Sequence, residues 1–358
     1  MRVICAPDKL RGALDAAGAA AALATGVRRA GAEPISLPIG DGGEGTLQAL
    51  VGAGRARCIE LVTVDALGRP RIATLGDLGD DVYLVEAAEA IGLAQLEESE
   101  RDPRRASSRG VAALLLEAVA REARQVLVAL GGVATVDGGL GLLAALGARG
   151  AGDSGSALLG PLDVDVSAVR ARLAETDLVV LHDVDVPLCG PDGAAALFGP
   201  QKGLRAEDVP LFDAGLARLA AALGDGLAER PGAGAAGGLG LALFALGATA
   251  RPGAEAILEL LRFDEHLSRA DLCLTAEGSV DRQSARGKAV AAVVAACARA
   301  GVPCDVLGGQ VSDEAVVALT ALGARDVRAI GPAGRPLAEA FAAVAEELAA
   351  AAEASVRH

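Results

Sequence analysis

Short apolar runs alternate along the chain with long stretches rich in Ala and Leu that repeat at helical spacing. This alternation is typical of βαβ units, in which mostly parallel sheets are covered by helices. The predicted strands cover residues 3–6, 35–38, 125–130, 178–182, 272–275, 304–307 and 327–330. The predicted helices include residues 14–30, 45–51, 111–123, 207–223, 288–300, 313–322 and 337–352.

One stretch, residues 57–86, breaks this pattern. Its three apolar runs (58–64, 71–75 and 82–85) are separated only by turn-forming segments, so they predict an antiparallel meander. Such an interruption indicates an inserted domain. We therefore expect an α/β protein of two domains with a cleft between them. Residues 1–56 plus 265–358 form a flavodoxin/Rossmann-like parallel-sheet domain, and residues 57–264 form the inserted α/β domain.

The chain is strongly acidic, with 33 basic and 47 acidic side chains among 358 residues and a net charge of −14. We therefore expect no binding to a nucleic-acid backbone. Glycines interrupt the apolar stretches, and the first residues lack the apolar segment of a signal peptide, so no membrane association is expected. The six cysteines lack the short spacing of metal motifs, which favours buried thiols in a reducing cytoplasm.

Lysine is rare in this chain. Among the 33 basic residues only Lys9, Lys202 and Lys288 are lysines, and each lies close to a glycine turn. A lysine ammonium is a compact, rotatable charge that the planar arginine side chain does not reproduce. The three positions therefore favour a role in binding anions, with chance retention as the alternative.

Acidic residues and glycines follow five predicted strands, at the edge where open α/β sheets bind ligands. These residues are Asp8 with Lys9, Asp41 to Glu44, Asp137 with two glycines, Asp183 with Asp185, and Glu277. Structural alternatives exist for most of them. Asp41 and Glu44 match a capping box, and Asp137 suits a helix start. Asp183 and Asp185 suit a solvated loop.

A glycine-rich run at residues 232–240 either binds phosphate through backbone amides at a helix start or allows close packing. His182 lies in a predicted core strand, where a structural role is favoured. Carboxylates for Mg²⁺, cations and amide donors together form the set that nucleotide-dependent phosphoryl transfer requires. The residues by themselves indicate a phosphate-handling α/β enzyme.

Longer motifs follow one another in order along nearly the whole chain. They are Ala6-Pro7-Asp8 with Gly12, Pro38-x-x-Asp41-Gly42-Gly43-Glu44-Gly45-Thr46, Asp137-Gly138-Gly139, Phe198-Gly199-Pro200-Gln201-Lys202-Gly203, the run at 232–240, and Glu277-Gly278 with Asp281, Gly287 and Lys288. In these motifs the chain resembles the bacterial glycerate kinase family, type one. The resemblance implies ATP- and Mg²⁺-dependent phosphorylation of D-glycerate, usually to 2-phosphoglycerate, in a cleft between a flavodoxin-like and a second α/β domain.

The resemblance also leads to expected roles for the individual residues. The expected catalytic residues are Asp41, Asp183, Lys202, Glu277 and Lys288. The expected substrate-binding residues are Asp8, Lys9, Arg11, Gly42, Gly43 and Asp137. The expected nucleotide-binding residues are Gly232, Gly234, Gly237, Gly238 and Lys202, and the expected Mg²⁺ ligands are Asp41, Glu44, Asp183 and Glu277. We expect a hydroxy-acid and a nucleotide as partners, and we consider a homodimer.

Three valines depart from the family pattern. Val133, Val136 and Val186 stand where the family has Ser or Asn. A valine side chain cannot hydrogen-bond to a hydroxy-acid, and loss of such pairing strongly changes discrimination between substrates. Two alternatives therefore stay open: a family member with a different acceptor, and a catalytically inactive nucleotide-binding regulator.

Overall fold

The computed structural model describes residues 1–40, 42–182, 186–282, 284, 289–332 and 334–358. Contacts between residues divide the chain into two units. The first unit comprises Met1–Asp41, Gly45–Arg55 and Pro252–His358, and the second unit comprises Gly42–Glu44 and Ala56–Arg251.

Strands and helices alternate along most of the chain. The strands are β1 (Arg2–Cys5), β2 (Glu33–Ser36), β3 (Arg57–Val64), β4 (Pro70–Asp77), β5 (Val82–Glu86), β6 (Gln125–Ala129), β7 (Asp177–His182), β8 (Thr249–Pro252), β9 (Leu272–Val280), β10 (Cys304–Val311) and β11 (Asp326–Ala329). The helices are α1 (Ala16–Arg29), α2 (Thr46–Gly52), α3 (Ala87–Ile91), α4 (Val111–Ala120), α5 (Leu140–Leu146), α6 (Ser167–Arg172), α7 (Ala194–Phe198), α8 (Val209–Leu223), α9 (Ala235–Ala245), α10 (Gly253–Leu260), α11 (Phe263–Leu267), α12 (Ala289–Ala300), α13 (Asp313–Leu322) and α14 (Leu337–Arg357).

The first unit contains a five-stranded parallel sheet in the order β2-β1-β9-β10-β11. Numbered within this unit, the order is 2-1-3-4-5, which is that of flavodoxin-like sheets. The prediction of a flavodoxin-like parallel sheet is therefore confirmed. The strand order reverses between β1 and β9, and open α/β sheets bind ligands beyond the carboxyl ends of the strands at such a switch point.

The two faces of this sheet are buried under helices. Val3 and Cys5 of β1 share a fully buried core with α1 and α14. These helices pack closely at Gly26, where a Cβ would lie 1.9 Å from the Ala349 carbonyl oxygen. Because side chains alternate along a strand, Ile4 faces the opposite side of the sheet, and it is also fully buried. Burial on both faces explains the near-continuous apolar runs in the sequence.

The second unit contains a six-stranded sheet in the order β3-β4-β5-β6-β7-β8. β3, β4 and β5 pair antiparallel, whereas β5, β6 and β7 pair parallel. The predicted antiparallel meander is thus confirmed. The sheet shares a large apolar core with the helices around it, including the fully buried Phe212 and Leu216 of α8.

One strand and one helix differ from the sequence-based prediction. β9 continues to Val280, five residues beyond its predicted end, because it keeps pairing with β10 as far as Val311. The glycine run suggested a helix start, but the extent of helix α9 was not predicted, because the helix is apolar on all sides and nearly every residue in it is buried. A helix of this kind lacks the polar face that makes a helix recognisable in sequence. Within the described part of the chain, every helix is too short or too polar to span a lipid bilayer.

Candidate functional site

The carboxyl end of β1 lies beside β9 at the switch point of the first unit. The Asp8 amide donates a hydrogen bond of 2.9 Å to the carbonyl oxygen of Ala276, which directly precedes Glu277. Asp8 is buried and Glu277 is half-buried. The structure therefore brings two predicted carboxylates, Asp8 and Glu277, onto neighbouring chain segments at the edge where this fold binds ligands.

Two cationic residues belong to the same segment. Lys9 is half-buried, and its amide donates to the Asp8 carboxylate at 2.7 Å, while Arg11 is exposed. The backbone of Arg11 approaches Gly278 closely, since a Cβ on that glycine would lie 3.3 Å from the Arg11 nitrogen. We call Asp8, Lys9, Arg11 and Glu277 the switch-point group.

Glu277 does not follow the strand, as the sequence suggested, but lies inside β9 opposite Gly308 of β10. A Cβ on Gly309 would lie 2.6 Å from the Gly278 oxygen, so small residues allow the two strands to continue past the predicted edge. The carboxylate is consequently held on a paired strand, which fixes its position better than a loop would.

The glycine loop before α2 belongs to the second unit. A Cβ on Gly131 would lie 2.6 Å from the Gly43 Cα, and one on Gly132 would lie 2.8 Å from the Glu44 Cβ. Glu44 itself is exposed. The capping-box alternative for Glu44 is wrong, because α2 begins only at Thr46 after a left-handed Gly45.

Asp137 is fully buried, and its carboxylate holds three backbone amides and a hydroxyl. One oxygen accepts from the Ser108 amide (2.8 Å), the Ser108 hydroxyl (2.7 Å) and the Gly141 amide (3.1 Å). The other oxygen accepts from the Gly139 amide at 3.0 Å. Two of these amides lie at the start of α5. The carboxylate therefore acts as an acceptor at a helix start, which is the structural alternative that the sequence offered. Asp137 positions the loop that leads into α5.

Lys202 lies beside this loop and is only 4% exposed. Its ammonium donates to the Thr135 carbonyl oxygen at 2.7 Å. Burial lowers the pKa of Lys202 to about 8, and the negative charge of Asp137 partly opposes this effect. Near neutral pH the residue therefore carries a buried positive charge that loses its proton in the mildly alkaline range.

The glycine run at 232–240 packs against the same loop. A Cβ on Gly237 would lie 2.1 Å from the Thr135 oxygen, and one on Gly238 would lie 2.8 Å from the Gly138 Cα. Both glycines have left-handed φ angles, +67° and +90°. Close packing therefore requires glycine at these positions.

The beginning of this run uses its amides within the protein. The amides of Ala233, Gly234 and Ala235 donate to carbonyl oxygens at 3.0 to 3.2 Å. Gly234 also approaches the Pro187 oxygen, and Gly232 lies against the His182 ring, which agrees with a structural role for that histidine. These three amides are therefore not available to bind phosphate.

The predicted residues fall into four sets. The switch-point group lies in the first unit, Asp137, Lys202 and the glycine run lie together in the second, and Gly42, Gly43 and Glu44 form a separate loop of the second unit. Three residues with predicted catalytic roles, Asp41, Asp183 and Lys288, lie outside the described residues.

Sequence reasoning missed Ser108, which binds Asp137 through both its amide and its hydroxyl. The only available signal was a serine pair just before the helix at residue 111.

A cavity of about 430 Å³ in the second unit lies next to this serine pair, and it is lined in part by Arg104, Arg105 and Arg109. Ion pairs of Arg104 with Asp208 and of Arg109 with Asp153 offset most of its positive charge.

Comparison with known proteins identifies the relatives of this chain. The family model described as "Glycerate kinase family" matches residues 3–358. Glycerate kinase of Bacillus subtilis (strain 168) is 38% identical, with 97% of this chain and 94% of the relative covered. Glycerate 2-kinase of Escherichia coli (strain K12) is 34% identical over 88% of this chain and 86% of the relative.

A solved structure gives the same result. A protein from Salmonella typhimurium LT2 that carries the name glycerate kinase 2 superposes with a TM-score of 0.82 at 31% identity, covering 100% of this chain and 97% of the other. Kinases of this kind transfer a phosphoryl group to an alcohol, and this chain is an enzyme of that class. Since both the sequence and the fold match over nearly the whole length, the chain belongs to the glycerate kinase family.

Proposed function

We propose that this enzyme transfers the γ-phosphoryl group of ATP to the 2-hydroxyl of D-glycerate with Mg²⁺. One observation carries the proposal: the hydrogen bond from the Asp8 amide to the Ala276 oxygen, which sets Asp8, Lys9 and Glu277 at the switch point of a flavodoxin-like sheet. The relatives that bear the names glycerate kinase and glycerate 2-kinase supply the reaction.

Mg²⁺ suits the donors at this position. It prefers oxygen ligands and binds through one or two carboxylates together with substrate phosphates and water. Glu277 on β9 and Asp8 beside it offer such oxygens. When bound, the ion would neutralise charge on the transferring phosphoryl group.

Cationic side chains are proposed to hold the two substrates. Lys9 and Arg11 would bind the glycerate carboxylate, for which the planar arginine fork is well suited. Lys202 belongs to the second unit. Its ammonium has three N–H donors, and one of them donates to the Thr135 oxygen. Another donor of Lys202 and the later amides of the glycine run would bind phosphate oxygens.

The three valines that depart from the family pattern are buried, and their positions give no reason to prefer an acceptor other than glycerate. Val133, Val136 and Val186 are between 0 and 6% exposed. Val133 and Val136 belong to the apolar core of the second unit, where valine is a stable side chain. Their departure from the family pattern therefore has a packing explanation that leaves acceptor choice untouched.

The test is product analysis by ³¹P NMR with Mg-ATP and a panel of hydroxy-acids including D- and L-glycerate. We expect 2-phosphoglycerate from D-glycerate, and no product in EDTA. Glu277→Gln should lower kcat by at least about 100-fold, the scale of losing a metal-binding or acid–base carboxylate. Glu314→Gln, at an exposed position on α13 of the same unit, is the matched control and should retain full activity.

Three results would contradict the proposal. The first is nucleotide binding without turnover of any hydroxy-acid, which would indicate a regulator. The second is faster turnover of a larger or more apolar acid, which would indicate a different acceptor. The third is an equal effect of the two substitutions, which would remove Glu277 from the site.

The same proposal includes the setting in which the enzyme works. We place it in the cytoplasm, where ATP is available and thiols stay reduced. A homodimer is the assembly state to test, by light scattering of the purified chain.

A further inference from the structure

Three thiols meet in the core of the first unit, at the end of the sheet opposite the switch-point group. Cys273 of β9 and Cys304 of β10 are register partners on adjacent strands, and Cys297 comes from α12. The three sulfur atoms all lie within 4.8 Å of one another. All three side chains have no exposed surface and are free thiols. We call them the thiol triad.

This spacing suits a metal ion. A metal–sulfur bond of about 2.3 Å places three sulfurs about 4 Å apart around a central ion, so small side-chain adjustments bring the triad to coordination distance. Thiolates are soft ligands that favour thiophilic ions over Mg²⁺. The triad therefore suits a different ion from the one proposed at the switch point.

The charge of three thiolates in an apolar core favours a divalent ion over a monovalent one. Binding would follow M²⁺ + 3 R–SH → M(SR)₃⁻ + 3 H⁺, which leaves one net negative charge in the core, whereas a monovalent ion would leave two. Asp305 does not add to this charge, because it faces the other side of β10 and pairs with Arg325.

A buried hydroxyl lies on the triad's side of β9. Thr275 is two residues beyond Cys273, so the two side chains share a face of the strand. Thr275 is 1% exposed, and its hydroxyl has no hydrogen-bond partner among the residues that the structure describes. Buried hydroxyls normally have partners, so this one is an independent sign of a polar ligand on that face.

We propose that Cys273, Cys297 and Cys304 form a binding site for a divalent thiophilic cation of the Zn²⁺ and Cd²⁺ class. The site would tie α12 to β9 and β10. It lies away from the phosphoryl-transfer site, and it does not depend on the proposed function.

The test uses Cd²⁺ as the probe on the full-length, fully reduced protein. The parent variant carries Cys58→Ser and Cys189→Ser, which removes the exposed and half-buried thiols that bind metals nonspecifically. Cd²⁺ is added both to the folded protein and during refolding from urea, since the buried triad is accessible only on opening. We expect one Cd²⁺ per chain with a sulfur-to-metal absorption band, release of three protons and a raised Tm.

Matched substitutions decide the outcome. Cys297→Ala and Cys297→Ser should each lower Cd²⁺ affinity by at least about 100-fold, since even outer partners of a metal site contribute 10- to 100-fold. Cys5→Ala is the control, because Cys5 is another fully buried thiol of the same unit outside the triad, and it should retain affinity. The proposal is overturned if the refolded parent binds no Cd²⁺, or if either folded Cys297 variant binds as tightly as the parent.

Discussion

At the scale of single residues, Lys202 and Asp137 are two buried charged side chains of the second unit that influence each other electrostatically. Lys202 has a pKa of about 8 in the fold because burial disfavours its charge, against an ordinary value of 10.5. Between these two pH values the unfolded chain holds a proton that the folded chain has released. Stability contributed by this residue therefore rises with pH across that range.

Comparison of the wild type with Lys202→Met measures this effect. The difference in unfolding free energy, wild type minus variant, should increase by about 3 kcal/mol from pH 8 to pH 10.5. Urea denaturation at several pH values gives the difference, and titrations common to both proteins cancel in it. A difference that stays constant with pH would show that Lys202 keeps an ordinary pKa.

Substitution of Asp137 tests the loop that it holds. Asp137→Asn replaces an accepting oxygen with a donor that faces backbone amides, so we expect a loss of about 2–3 kcal/mol in urea denaturation. Asp153→Asn, in an exposed pair with Arg109, should cost less than about 1 kcal/mol. Equal losses in the two variants would mean that burial of Asp137 contributes little.

The sequence identified these side chains better than it identified their roles. The scarcity of lysine singled out Lys202, yet nothing in the sequence showed that its ammonium faces the Thr135 carbonyl, because that contact spans 67 residues. The position of Asp137 before two glycines suited both a ligand and a helix-start acceptor. Only the positions of Ser108 and Gly141 distinguish the two.

At the scale of secondary-structure elements, Gly26 marks a close contact between two helices. Gly26 on α1 faces the Ala349 carbonyl of α14 with no room for a side chain. Gly26→Ala should destabilise the protein by about 1–3 kcal/mol or more, because the added methyl forces the helices apart. Gly52→Ala on α2 meets only ordinary contacts at 3.6 Å and should instead gain up to about 1 kcal/mol.

If this contact is as tight as the structure shows, thermal unfolding should give a lower Tm for Gly26→Ala and a higher Tm for Gly52→Ala. A neutral or stabilising Gly26→Ala would mean that α1 and α14 are further apart.

Gly237 in α9 provides the corresponding test near the candidate site. Gly237→Ala combines a left-handed φ with a methyl 2.1 Å from the Thr135 oxygen, so it should displace the loop that Lys202 contacts and lower kcat at least tenfold. Gly247→Ala has a similar φ of +100° in open space, and it should cost only about 1–2 kcal/mol of stability with kcat unchanged. Unchanged kcat in the first variant would separate α9 from catalysis.

Strongly patterned elements were predictable, and tightly packed ones were not. The meander of β3 to β5 was recognisable because its apolar runs are short and its turns carry glycine. Helices α5 and α9 are almost entirely buried and lack a polar face, so their sequences do not show helical periodicity. The continuation of β9 through Glu277 depends on its pairing with β10, which local sequence does not encode.

At the scale of the whole molecule, the second unit has a core of its own and, apart from the short segment Gly42–Glu44, a continuous chain. Residues 56–251 contain every strand from β3 to β7 together with the helices that cover them. We therefore expect this fragment to fold alone, with a cooperative urea transition and near-native circular dichroism. The fragment 1–55 should stay unfolded, because its two strands need β9 to complete their sheet. A noncooperative transition of the longer fragment would contradict this prediction.

Parallel strands from both ends of the chain have a further consequence during synthesis. β1 and β2 leave the ribosome early, but the neighbour of β1 on its other side begins only at Leu272. At 5–20 residues per second, translation from residue 36 to residue 272 takes roughly 10–50 s. Throughout that delay an apolar strand keeps an unpaired edge, which is a template for aggregation. The nascent chain should consequently depend on chaperones until its last quarter emerges.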